Sequence, residues 1–357
     1  MTHALITGWG MYAPSRVMSN HDLEKLVETS DEWIVSRTGI RERRIAADDE
    51  TTTTLSVNAA RDALAVAGMA PEELDLVIVG TCTPDYYMPA TAVLVAHELG
   101  ATRAAGFDLM AACSGFVFSL ATATAYVRSG MVRNVLVIGV EVLSRFLDYT
   151  DRNTCVLFGD GAGAVIVSAS DEPGGLLGLD MYSDGSGKEG IIFPAGGAAC
   201  PTTPKTIAEG GHFVHMAGKE VYKYATRQLA ESARAALRNA NLSVDDVDQF
   251  LFHQANLRII ESVQHAVGIP MEKTYLNIEK YGNTSAASVP MALVEAIAAG
   301  RVKPGDRLLM AAFGAGFTAG AAVVEWTADP ARAFLAPGDQ TRLGKPRRET
   351  AEAEVAA

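Results

Sequence analysis

No Cys-x-x-Cys pair occurs among the four cysteines, Cys82, Cys113, Cys155 and Cys200. Their wide spacing excludes a zinc ribbon and a disulfide framework, so each thiol has to be judged singly. Long apolar runs are also missing: nowhere are there the ~20 consecutive apolar residues that a membrane-crossing helix needs. Positive charge is in short supply, with 30 Lys and Arg against 42 Asp and Glu and a formal net charge of -12. Such a chain repels phosphate backbones, which argues against a nucleic-acid partner. The first residues, Met1 to Gly8, lack the basic region, apolar core and cleavage site of a secretory signal, so a cytoplasmic protein is expected. What remains is an ordinary soluble composition, 357 residues of which 48% are hydrophobic and 20% charged. That is enough for one large core or two fused core units.

Short apolar runs, Leu76 to Val79, Val135 to Ile138 and Ala164 to Val167, alternate with helical stretches such as Ser56 to Gly68. Unbroken runs of this kind predict strands buried on both faces. An internal repeat organises them. Ala60 to Cys82 aligns with Ala233 to Ala255 at an offset of 173, and both read helix, turn, Asp, buried strand. A second alignment, helix before Gly130 against helix before Gly300, has an offset of 170 and places Cys113 opposite Asn283. Two duplicated halves are expected, 1–172 and 212–327, joined by a Gly-rich irregular connection at 173–211. From 328 to 357 the chain turns to Pro, Gly, charge and Ala without apolar periodicity, and reads as a solvated tail.

Three residues stand out as candidates for chemistry. Cys113 follows a strand-like segment, Asp108-Leu-Met-Ala-Ala, and precedes a helical pattern through Val117, Leu120 and Val127. A thiol at a helix start can have its pKa lowered into the ~3.5–7.5 range, whereas an isolated cytosolic Cys is more often a small buried hydrophobe. That bland reading is kept for Cys82, Cys155 and Cys200. His253 ends the strand-like Phe250-Leu-Phe and opens another helix, and Asn283 precedes the Val289 to Ala298 pattern, where an N-cap is its plain reading. Together the three termini make a convergent site. Two Gly patterns do not: Gly8-Trp-Gly-Met-Tyr-Ala13 runs into Pro14, and Gly159-Asp-Gly-Ala-Gly163 runs into a strand, so neither opens a helix onto a phosphate.

These segments resemble the thiolase-like superfamily and, within it, the 3-oxoacyl-acyl-carrier-protein synthase III family. The likeness runs from about residue 5 to 326. It is carried by Thr29 to Arg43, the Cys113 segment, Thr150 to Thr154, Phe158 to Ala164, His253 to Ile260 and Gly282 to Ser288. A Cys-His-Asn set marks this branch against the Cys-His-His and Cys-His-Cys sets of its relatives. The resemblance implies an α/β fold of two duplicated halves in five αβαβα layers. It implies an acyltransferase that joins an acyl-CoA primer to malonyl-acyl carrier protein by decarboxylative condensation, starting fatty-acid synthesis through an acyl-Cys113 intermediate.

By the same resemblance, His253 and Asn283 stabilise the enolate, and the backbone N–H groups of Cys113 and Ala315 hold the oxyanion. Ala315 stands where the family pattern has Gly, keeping the donor but straining the backbone if the loop needs a positive φ there. Thr29, Trp33, Arg37, Arg152, Gly218 and Asn256 would bind coenzyme A, which enters as a substrate thioester; no permanently bound cofactor or metal is implied. Lys223 and Arg258 would meet the acidic carrier protein. Met88, presented by the partner of a homodimer, would line the acyl pocket with Leu143, Phe158, Met216 and Phe313. Two other readings remain in play on the same fold: a specialised-metabolism acyltransferase or condensing enzyme with an unusual acyl substrate, and a non-catalytic acyl-binding scaffold.

Overall fold

The structure, a computed structural model, describes residues 2–332. Nine strands build its two large sheets: β1 (His3–Tyr12), β2 (Leu76–Gly80), β3 (Ala105–Leu109), β4 (Asn134–Glu141), β5 (Gly161–Ser170), β6 (Gly175–Ser183), β7 (Gln249–Phe252), β8 (Arg307–Gly314) and β9 (Thr318–Glu325). Six helices matter for the site: α1 (Asp31–Thr38), α2 (Thr52–Ala67), α3 (Gly115–Arg128), α4 (Gly218–Asn239), α5 (Leu257–Val267) and α6 (Ser288–Ala298).

The first sheet has the order β1-β5-β4-β2-β3 and the second β6-β9-β8-β7. The pairing senses match between them: antiparallel for β1 with β5 and β6 with β9, antiparallel again for the next pair, then parallel for β4 with β2 and β8 with β7. A parallel bridge from Phe250 to Thr274 occupies, beside β7, the place β3 holds beside β2. Helices α3 and α6 pack against both sheets, α2 covers the outer face of the first, and α4 covers that of the second with α5 packed beside it and sharing its core. The molecule is therefore a thiolase-like α/β fold of two duplicated halves in five layers.

Strand periodicity explains the layering. Along β2, β4 and β5, Leu76, Ile78, Val135, Val137, Val165 and Val167 join the central core, while Val77, Val79, Leu136, Ile138 and Ile166 join the core under α2. Successive side chains point to opposite faces, so a strand with helices on both sides must be apolar at every position. Each fully buried Val, Leu or Ile contributes roughly 1.5–3 kcal/mol.

Two expectations need correction. The 173–211 segment is not wholly irregular, because its first part is β6, the edge strand that completes the second sheet against β9. Its glycines concealed a pairing made only with residues far along the chain. The halves also align at 173 rather than 170 where it matters. The turn Ala112–Ser114 before α3 corresponds to Ser285–Ala287 before α6, and β4 at 134 corresponds to β8 at 307. Helix α3 has 14 residues and α6 has 11, so the helix ends drift by one turn and bring Gly130 and Gly300 into a misleading 170 register. The residue opposite Cys113 is thus Ala286, and Ser285 stands opposite Ala112. At the other end, Ala328 is buried and accepts the Trp326 Nε1–H at 2.8 Å, and the tail expected from 328 lies, from 333 on, outside the described residues.

Candidate active site

Cys113 sits in a one-turn 3-10 helix between β3 and α3. Ala112 before it takes a left-handed φ of 47°, a conformation that costs a non-glycine residue about 1–3 kcal/mol and re-aims the chain sharply. The end of β8 lies against this turn. A Cβ on Gly314 would come within 2.6 Å of the Cys113 backbone nitrogen, so only glycine permits the approach. Thr318 Oγ1 donates to the Ala111 carbonyl at 2.8 Å and fixes the turn from the next strand.

Enclosure reverses the expected electrostatics of the thiol. Burial pushes Cys113 up to about 12; the Ser285 hydroxyl works against that rise and the Glu141 carboxyl adds to it. The helix start alone suggested a lowered value, but removal from water outweighs it here. Cys113 rests as a thiol.

His253 follows the last residue of β7, and its amide donates to the Ala311 carbonyl at 2.8 Å. Burial pushes its imidazole down to about 3, so it is neutral at physiological pH. Nδ1 lies 2.6 Å from Ser288 Oγ at the start of α6. Asn283 is held by its backbone, donating to the Leu157 carbonyl at 2.8 Å and accepting from the Gly159 amide at 3.0 Å. Its Oδ1 accepts the Ser285 amide at 2.8 Å, which leaves the two N–H donors of Nδ2 for another partner.

Cys113, His253 and Asn283 all line one cavity of about 600 Å³. Leu143, Phe158, Met216 and Phe313 line it as expected, as do Gly218 and Asn256. Ala315 also lines it, and does not take the left-handed region; the positive φ falls on Gly316, so the feared strain is absent. Trp33 on α1 lies under two guanidinium groups, with Arg37 Cζ 5.6 Å and Arg152 Cζ 5.3 Å from its ring centroid. Asn256 Nδ2 donates to the Arg37 carbonyl at 3.1 Å and so ties this cluster to the cavity wall, while Thr29 Oγ1 nearby in sequence is buried with no hydrogen-bond partner among the described residues. Met88 is different: it is 85% exposed and does not line the cavity of its own chain. Lys223 and Arg258 are exposed on α4 and α5, which pack together.

Four residues at the site escaped the sequence reading. Cys82, set aside as an inert thiol, lines the same cavity and donates to Glu141 at 3.2 Å. Glu141 is fully buried at the end of β4, and a carboxylate closing an unbroken apolar strand was the signal for it. Ser285 and Ser288 stood inside the Gly282 to Ser288 motif, but only the tertiary fold shows that their hydroxyls face Cys113 and His253. Among the described residues no cluster of three or more His, Cys, Asp or Glu could hold a metal ion, and no helix is long and apolar enough to cross a membrane.

Comparison with known proteins agrees with this architecture. The family profile described as 3-Oxoacyl-[acyl-carrier-protein (ACP)] synthase III matches residues 107–185, and its C-terminal counterpart matches 237–326. The chain is 51% identical to the beta-ketoacyl-[acyl-carrier-protein] synthase III of Roseiflexus sp. (strain RS-1) over 326 residues, 91% of this chain and 99% of that one. It is 50% identical to the protein of the same name from Desulfitobacterium hafniense (strain DSM 10664 / DCB-2), over 90% of this chain and 97% of that one. The crystal structure of 3-oxoacyl-[acyl-carrier-protein] synthase III from Aquifex aeolicus VF5 superposes with a TM-score of 0.84 at 46% identity, covering 90% of this chain and 100% of that one. Identity at this level across nearly the whole of each protein means that the chain belongs to the 3-oxoacyl-[acyl-carrier-protein] synthase III family.

Proposed function

We propose that this chain is the acyltransferase that condenses an acyl-CoA primer with malonyl-acyl carrier protein, the initiating step of fatty-acid synthesis, with Cys113 as the acylated nucleophile. The observation that carries the reading is the convergence of Cys113, His253 and Asn283, from three separate segments, on one apolar cavity.

Cys113 sulfur attacks the primer thioester, and the tetrahedral oxyanion is held by the backbone N–H groups of Cys113 and Ala315. Coenzyme A departs along the cavity mouth formed by Gly218 and Asn256, its nucleotide end meeting Trp33, Arg37, Arg152 and Thr29. Malonyl-acyl carrier protein then enters across Lys223 and Arg258. Asn283 Nδ2–H and His253 Nε2–H donate to the malonyl thioester oxygen as carbon dioxide leaves. The neutral imidazole suits this task, since it offers a donor without first gaining a proton. The resulting carbanion attacks acyl-Cys113 and releases 3-oxoacyl-carrier protein. Coenzyme A is a substrate here, and the chemistry calls on no permanently bound cofactor.

The active unit is a homodimer on this reading, acting in the cytoplasm. Consecutive residues Tyr86, Tyr87 and Met88 are 61%, 85% and 85% exposed, an apolar tip suited to insertion into a partner, and β3 is an edge strand of the first sheet. A monomer by light scattering would contradict the shared pocket.

Intact mass after incubation with acetyl-, isobutyryl- and octanoyl-CoA tests the central step. One acyl adduct is expected on the wild type and none on Cys113→Ala, and the acylated protein should then condense with malonyl-acyl carrier protein. An adduct that survives in Cys113→Ala rules out this nucleophile. Acyl transfer to other acceptors without condensation would favour a specialised role.

A further inference from the structure

Acylation requires the Cys113 proton to go somewhere. His253 is engaged at Nδ1 by Ser288, and among the described residues the only side chain hydrogen-bonded to Cys113 Sγ is Ser285. Ser285 Oγ lies 3.3 Å from that sulfur and 3.2 Å from Glu141 Oε1. One hydroxyl thus bridges the nucleophile to a buried carboxylate.

We propose that Ser285 and Glu141 form a relay that accepts the Cys113 thiol proton and later returns it, Ser285 acting as a catalytic hydroxyl and Glu141 as the positioning residue behind it. The inference rests on the reading of Cys113 as the acylated nucleophile. Ser285 carries a single hydroxyl proton, so it donates to one neighbour at a time. In the resting state the Cys113 S–H faces Ser285 Oγ, and the Ser285 O–H points at Glu141. Transfer moves the thiol proton to Oγ as the Ser285 proton passes to Oε1, leaving a thiolate that accepts from Ser285 and a neutral Glu141.

The thiolate electron pair then forms the new C–S bond, and the coenzyme A thiolate leaves and takes one proton from water. In condensation the C–S bond to Cys113 breaks, the pair returns to sulfur, and the Glu141 proton comes back through Ser285. One solvent proton is consumed per turnover, as loss of carbon dioxide from a malonyl carboxylate requires.

The surroundings support a proton store. Glu141 is 0% exposed and receives the Thr83 hydroxyl at 2.6 Å and the Cys82 amide at 3.1 Å. Among the described residues it forms no ion pair. The titratable groups that face it are the thiols of Cys82 and Cys113. Burial raises the Glu141 carboxyl above its ordinary range, which narrows its gap to the thiol. Ser285 itself holds a left-handed φ of 48°, a strained conformation that sets its hydroxyl between the two.

The test is the pH dependence of iodoacetamide alkylation in the substrate-free protein, read by mass spectrometry on the Cys113 peptide to separate it from Cys82. An internal transfer makes the thiolate fraction insensitive to pH, so the wild type should vary by less than about threefold between about pH 6 and 8. Glu141→Gln, and independently Ser285→Gly, which suits the positive φ, should instead rise about tenfold per pH unit. A carboxylate that merely braced the 81–83 turn would not change the shape of this profile. A steep rise in the wild type, or the same profile in folded variants, overturns the relay. Failure of acyl-CoA to acylate wild-type Cys113 would instead overturn the nucleophile assignment, so the two failures are distinguishable.

Discussion

Ser288 Oγ lies 2.6 Å from His253 Nδ1 and also 2.9 Å from the Ser285 carbonyl, which can only accept. The single Ser288 proton serves one of these partners at a time. When it goes to Nδ1, the neutral imidazole carries its own proton on Nε2 and becomes a donor into the cavity. When it goes to the Ser285 carbonyl, Nδ1 keeps the imidazole proton and Nε2 becomes an acceptor, so the Ser288 proton and the His253 tautomer are linked.

Ser288→Ala should slow malonyl decarboxylation by at least about tenfold while leaving formation of the acyl adduct nearly unchanged. Rapid-quench measurement of acylation beside steady-state release of carbon dioxide checks this. An equal loss in both steps would point to a general packing defect instead.

His253 should also make stability depend on acidity. Its folded value near 3 lies below the ordinary 6.5, so between those limits the unfolded chain binds a proton that the folded chain refuses. Stability from this group is fully present above about pH 6.5 and falls as pH drops towards 3, by a few kcal/mol. Urea unfolding across that window should show a shallower decline for His253→Asn than for the wild type.

Gly314→Ala places a methyl 2.6 Å from the Cys113 nitrogen, where the contact is backbone and cannot swing aside. The Cys113 amide, the proposed oxyanion donor, is displaced, and acylation should fall by about 10²-fold or more. Stopped-flow release of coenzyme A, with circular dichroism to verify folding, measures it.

Arg152→Ala removes one of the two guanidinium groups over Trp33 and the hydrogen bond to the Glu28 carbonyl at 3.0 Å. KM for acyl-CoA should rise about tenfold with little change in kcat, because neither Arg152 nor Trp33 is among the residues lining the cavity that holds Cys113. A selective fall in kcat would refute a role confined to binding.

Much of the site was legible locally. The strand-turn-helix around Cys113 is written within a few neighbouring residues, since strand periodicity, small residues and a helical pattern follow one another without help from elsewhere. His253 and Asn283 were legible for the same reason, each at the border of an apolar run. The 170 register failed because α6 is one turn shorter than α3, a difference that a glycine-to-glycine match conceals. Strand β6 was missed because its partner, β9, is remote in the chain.

By itself the sequence determined the apolar strands, the helix starts and the three candidate residues that the fold brings to one cavity, because periodicity and turn chemistry act over a few neighbours. Only the tertiary structure decided their chemical state. Burial under β8 raised the Cys113 thiol and lowered His253, and the packing of α6 against β4 set Ser285 between sulfur and Glu141. Solvation and hydrogen-bond partnership depend on what the rest of the chain places around a group, and no local pattern encodes that.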